Sequence, residues 1–212
     1  MQGYGSLRAA PDVADHRARH TRSDRRRSMT LVRTVGHGVL TADRFATLVA
    51  AAGIDLVVDV RRFPGSRRQP HFGEHALRAW LPEHGVRYRW EPALGGRRDD
   101  HVDSPNVALR SGPFRGYADH MASTEFARGV GSLVEAAAGS RAVVMCSESE
   151  WTRCHRGLLA DHLVVVEAIA VEHLHHDGRL EPHPSPGRAR DAGRHLVYDV
   201  AAPRSLFGHD GP

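Results

Sequence analysis

"IDLVVDV" (residues 54–60) is the stretch that decides the fold. Leu56, Val57 and Val58 are consecutive and apolar, so a strand here buries both faces. That is the pattern of a parallel sheet covered by helices on both sides, not of a half-exposed hairpin. Two later runs, "RAVVMC" (141–146) and "AIAVEHL" (168–174), have the same character. "TLVRTV" (30–35) reads as the strand that precedes them all.

Helical patterns lie between these strands. In "TADRFATLVAAAG" (41–53), Thr41 is the expected N-cap and Asp43 sits in the first turn. Phe45, Leu48 and Val49 form one apolar face, and Gly53 ends the helix. "EHALRAWLPEHG" is a short helix followed by the strand "VRYRW". "FRGYADHMAS", "TEFARGVGSLVEAAAG" and "CHRGLLADHLVVVEA" are the remaining helices. "HLVYDV" (195–200) is expected to add an edge strand. Strand and helix alternation predicts an α/β fold, a three-layer α/β/α sandwich around a mainly parallel, Rossmann-like sheet.

The 212 residues fit one domain with extra segments. Residues 1–28 lack apolar periodicity and read as a disordered basic arm, or as an artefact of a start codon placed too early, with Met29 the true start. All 29 basic residues are arginine, the mark of a GC-rich bacterial genome. Seven of them and three of the 25 acids fall in the arm, leaving 22 of each in residues 29–212. The body is therefore neutral, and any purely electrostatic hold on nucleic acid belongs to the arm. No apolar run is long enough for a membrane span, and no secretory signal opens the chain. Two cysteines are too few for a disulfide scaffold, so a cytoplasmic location is expected.

In parallel sheets, ligands bind at the carboxyl ends of strands. The polar motifs fall there: His37 after the first strand, Asp59, Arg61 and Arg62 after the second, and Cys146 after "RAVVM". The sequence is similar to the domain-of-unknown-function 488 family (DUF 488) from about Thr34 to Tyr198. The resemblance rests on "TVGHG", "DLVVDVRRFPGSRRQPHF", "GVRYRWEPALGGRR", "SPN", "FRGYADHM" and "MCSESEWTRCHR", in that order. Gly38 stands where members of that family usually carry Ser, and Ser147 where they usually carry Ala. The resemblance implies the fold class and leaves the activity to be argued from the site.

"CSESEWTRCHR" (146–156) carries both cysteines. Cys146 at a strand end could be a thiolate nucleophile, with Arg153, His155, Arg156 and the following helix lowering its pKa. Inert packing is the competing reading, since free cysteine is commonly buried. Cys154 could itself be the nucleophile, with Cys146 as resolving partner, or its side chain could cap the helix against the sheet. Glu148 is a candidate general acid or base, or a capping carboxylate. Zinc or iron is the weaker reading, with His37 as the distant ligand: Cys-x7-Cys lacks a tight knuckle, and adjacent Cys154 and His155 are expected to strain toward one ion. No cofactor is implied.

The remaining motifs supply ligand-binding candidates: Ser66 and Arg67 with Arg68 in "PGSRR", and Gly95, Gly96, Arg97 and Arg98 in "LGGRR". Asn106 in "SPN", and Arg115 and Tyr117 in "FRGYADHM", complete the set. Arginine clusters bind phosphate and carboxylate bidentately. Pairing with Asp59, Glu91, Asp99, Asp100 and Asp103 is the alternative use of these arginines. Tyr88, Trp90, Phe114, Tyr117 and Trp151 could stack a base, although aromatics in such segments are more often core or loop anchors. The expected function is a small enzyme that binds an anionic, phosphate-bearing or nucleotide-like ligand and uses thiol or acid/base chemistry. A non-enzymatic nucleotide- or nucleic-acid-binding module with structural cysteines, or a metal-dependent enzyme, is the alternative. The histidines of "VEHLHHDGRLEPHPSP" read as a solvated tail.

Overall fold

A computed structural model describes residues 30–65, 67–187 and 189–199. The expected arm, residues 1–28, and Met29 lie outside these residues, as does Ser66. The chain runs β1 (Leu31–Gly36), α1 (Ala42–Ala51), β2 (Leu56–Asp59), α2 (Glu74–Glu83), β3 (Arg87–Trp90), α3 (Pro113–Met121), α4 (Thr124–Ala138) and β4 (Ala142–Cys146). It continues with α5 (Arg156–Val165), β5 (Ala170–Leu174), β6 (Leu180–Pro182), β7 (Arg190–Asp191) and β8 (Leu196–Val197). Six strands form one sheet in the order β3-β2-β4-β1-β5-β6. The first five are parallel and β6 is antiparallel to β5. This is the three-layer α/β domain that the apolar strands predict. No helix among the described residues is long and apolar enough to cross a membrane.

The two faces of the sheet bury different helices because side chains alternate along each strand. Val57, Val143 and Met145 pack with Phe45, Leu48 and Val49 of α1 and Leu77 and Leu81 of α2. Val58, Val144 and Cys146 pack with α3, α4 and α5 through Tyr117, Phe126, Leu133, Leu158 and Leu163. Helix ends follow the capping expected of them. Thr41 accepts from the Arg44 amide at 3.3 Å, and Gly53 closes α1 at φ +67.

Three expectations are corrected on the far side of the sheet. "HLVYDV" does not join the main sheet: β8 pairs only with β7, and Leu196 and Tyr198 cap the α3–α5 core. Helix α5 starts at Arg156 rather than at Cys154, which is extended at φ −127 and ψ 147. The histidine-rich segment is not a solvated tail. His173 is 2 % exposed and stacks on Trp151 with ring centroids 4.1 Å apart. Asp161 accepts from His183 Nε2 and from the Tyr198 hydroxyl, each at 2.7 Å. His183 Nδ1 lies 2.8 Å from His173 Nε2, and His173 Nδ1 lies 2.7 Å from the Thr34 hydroxyl. Every member of this buried chain has a partner, which is what lets so polar a set sit there.

Candidate functional site

A crevice of about 360 Å³ opens where β1, β2, β3 and β4 end. It is built from the segments that follow those strands, with Pro113 and Phe114 at the head of α3 completing it. The backbone joins the strand ends directly. The His37 amide donates to Cys146 O at 2.9 Å, and the Val60 amide to Met145 O at 3.0 Å. These bonds extend the parallel ladder one step past the strands, so the first residues of each loop are held as firmly as the sheet.

Cys146 and Cys154 converge on His155 at the crevice floor. His155 Nδ1 lies 3.9 Å from Cys146 Sγ and 3.7 Å from Cys154 Sγ. His155 Nε2 lies 3.3 Å from Val60 O, which can only accept. That carbonyl holds the proton on Nε2 and turns Nδ1 toward the sulfurs. The adjacency of Cys154 and His155 therefore does not keep their side chains apart. Cys154 is extended and His155 is helical at φ −56 and ψ −16, and this change of backbone brings both side chains to one point. The two sulfurs and the ring nitrogen all lie within 4.8 Å of one another.

The electrostatics make the two thiols unequal. Cys146 is held well below the usual thiol range, first by the hydrogen bond from the Cys154 thiol and then by His155, with Arg156 adding its charge, all against the effect of burial. Cys154 is pushed well above that range by its bond to Cys146 and by burial.

Arg156, read from the sequence as a ligand-binding residue, is 1 % exposed. Its Nε donates to Cys154 Sγ at 3.3 Å and its terminal nitrogen to the carbonyls of Glu148 and Ser149. It positions the loop that carries Glu148 rather than reaching the crevice. Asp59 is also fully buried behind the lining. It holds Arg61 through two contacts, Nε to Oδ1 at 2.8 Å and a terminal nitrogen to Oδ2 at 2.5 Å, and accepts from the Tyr88 hydroxyl at 2.9 Å. Arg61 in turn points NH1 at His37 Nε2, 3.3 Å away. His37 is pushed down to about 4, mainly by burial and then by Arg61. It is neutral at pH 7, with Nδ1 donating to Gly38 O at 3.1 Å. Both its ring nitrogens are occupied, so His37 is not available as a metal ligand.

The other candidates divide in the same way. His37, Arg61, Arg62, Gly96, Arg97, Cys146, Glu148, Cys154 and His155 line the crevice. Gly96 is there for closeness: a Cβ on it would stand 2.6 Å from His155 Nδ1. Gly95 packs against the Arg62 backbone. Arg98 pairs with Glu125, Arg115 caps Leu109 O, and Asn106 joins Asp119 to the Tyr198 amide. Tyr117 donates to Leu94 O and supports the His155 ring at 4.9 Å. Arg67 and Arg68 are exposed outside the lining. Phe63 and Pro113 line the crevice and were not expected there; for Phe63 the only signal was its place beside Arg62. Phe63 and Phe114 are exposed, at 64 % and 38 %.

The acid-pairing alternative holds for some arginines and fails for others. Arg61 and Arg98 are paired with carboxylates. Arg62, Arg97 and Arg153 have no carboxylate ion pair among the described residues, and all three line the crevice. Glu148 is the carboxylate on that wall.

A sequence model of a family described as "Domain of unknown function DUF488" matches residues 41–163. No curated protein and no solved structure matches the chain.

Proposed function

The chain belongs to the DUF488 family, and from that premise we propose that it is a small thiol enzyme acting on an anionic, phosphate-bearing or nucleotide-like ligand. One observation carries the reading: a buried thiol pair shares His155 beneath three guanidinium groups that have no carboxylate ion pair among the described residues. Arg62, Arg97 and Arg153 hold the anion, and the exposed rings of Phe63 and Phe114 flank it. Cys146 is the nucleophile, because the Cys154 thiol, the His155 imidazole and the Arg156 charge favour its thiolate against the cost of burial. Cys154 keeps its proton and donates to it. His155 moves protons at Nδ1, with Nε2 anchored on Val60 O. Glu148 faces the same space as a second acid or base. A reducing, cytoplasmic setting belongs to the proposal, since both thiols are free.

The test uses two alkylating agents that differ in charge. Iodoacetate should label Cys146 faster than iodoacetamide at neutral pH, the reverse of a free thiol, whose thiolate repels the anion. Arg62→Ala with Arg97→Ala should remove that preference. Cys146→Ser should abolish labelling while the melting temperature is kept. Labelling that appears only on unfolding would defeat the proposal.

A further inference from the structure

The floor of the crevice has spacings that a metal ion would set. A zinc-class cation lies about 2.3 Å from a thiolate sulfur and about 2.0–2.1 Å from an imidazole nitrogen. At tetrahedral angles those bonds put sulfur and nitrogen about 3.6 Å apart. His155 Nδ1 stands 3.7 Å from one sulfur and 3.9 Å from the other. All three atoms fall within 4.8 Å of one another.

The surroundings fit as well. Ligating imidazoles normally have their other nitrogen tied to a carbonyl or carboxylate. His155 Nε2 is tied to Val60 O at 3.3 Å. Two thiolates and a divalent cation sum to zero charge, so the ion adds no net charge beside the buried Arg156 guanidinium. Arg156 can keep its bond to Cys154 Sγ, as donors to metal-bound thiolates do. Cys146, Cys154 and His155 all line the crevice, so an ion among them has one open side.

We propose that Cys146, Cys154 and His155 form a three-ligand site for a zinc-class divalent cation, entered from the crevice, whose occupation withdraws the thiolate from reaction. The cation binds, each thiol that becomes a ligand gives up its proton to solvent, and no electrons change hands. The binding stands on geometry alone; only its inhibitory consequence rests on the thiol reading above.

Cobalt(II) added to the metal-free, reduced full chain tests it. The expected result is one cobalt per chain, with thiolate-to-cobalt charge-transfer and tetrahedral d–d absorption that zinc displaces. One equivalent of zinc should slow iodoacetate labelling of Cys146 on the order of 100-fold, and a chelator should restore it. Cys154→Ala should lose the charge-transfer band; a band of full strength would overturn the assignment. Should that variant fail to fold, the titration of the unaltered chain decides. No charge-transfer band with fast labelling retained overturns the metal site and leaves the thiol reading standing. A band without fast labelling of the metal-free chain upholds the metal site and removes the thiol reading.

Discussion

Two polar clusters lie on the α3–α5 side of the sheet, and they use their hydrogen-bonding capacity differently. In the first, Thr34, His173, His183, Asp161 and Tyr198 form one chain with contacts of 2.7–2.8 Å. Each donor and acceptor has a single consistent partner. In the second, His155 Nδ1 lies 3.7–3.9 Å from the sulfurs of Cys146 and Cys154, and the group opens on a crevice lined by arginine. A closed network of short bonds fixes the fold, here by fastening the segment after β5 and the strand β8 to α5. Loose contacts among reactive groups at a solvent opening leave room for a reactant. Both clusters contain the residue types that sequence patterns associate with catalysis. Only satisfaction and access separate them.

The comparison can be broken where the effects are largest. Asp161→Ala leaves the Tyr198 hydroxyl and His183 Nε2 buried without an acceptor. It should destabilise the fold by about 3 kcal/mol, read by denaturant unfolding, with iodoacetate labelling of the folded fraction unchanged. A change in labelling instead would tie the two clusters together.

Acid should act on the folded state through buried neutral histidines. His37 and His162 are pushed down to about 4 and His173 to about 3, burial being the main cause in each. The unfolded chain takes up these protons below about pH 6.5, and the folded chain does not until pH 3–4. The stability they contribute is therefore complete above pH 6.5 and is lost as pH falls toward 4, by up to about 3 kcal/mol apiece. Melting temperatures across that window check the sign; a rise on acidification would refute it.

The smallest expected stability change falls on the reactive cluster. Gly96→Ala pushes the His155 ring away from the sulfurs. Labelling of Cys146 should slow on the order of ten-fold or more, at a stability cost of about 1–3 kcal/mol. Equal labelling rates would show that His155 does not act on the thiol.

The sheet was legible because burial on both faces leaves a mark in composition. Leu56–Val58 and Ala142–Met145 are unbroken apolar runs, and Thr41 and Gly53 bracket α1. Strand β6 was not legible, since Leu180–Pro182 is short, polar at its centre and carries proline. The burial of His173 was hidden for a different reason. Its partners, Thr34 and His183, are remote along the chain, and only tertiary structure reveals that they satisfy it. The site was legible as a set of strand ends, which placed His37, Arg61 and Cys146 together. The buried supporting role of Arg156 was not, because arginine in a motif looks the same whether it faces a ligand or two backbone carbonyls.

The strand order also dictates a sequence of assembly. β1 and β2 are consecutive along the chain yet never pair; β4 lies between them and bonds to both. Until residue 146 can reach residue 36, β1 and the β2–β3 pair each keep an open edge. Pairings this distant close late and slowly, because loop entropy is lost before contacts repay it. The strand that joins β1 to the β2–β3 pair is the one that delivers Cys146. A newly made chain therefore has no crevice and no activated thiol until its sheet is continuous, and fragments ending before β4 should expose unpaired strand edges and associate.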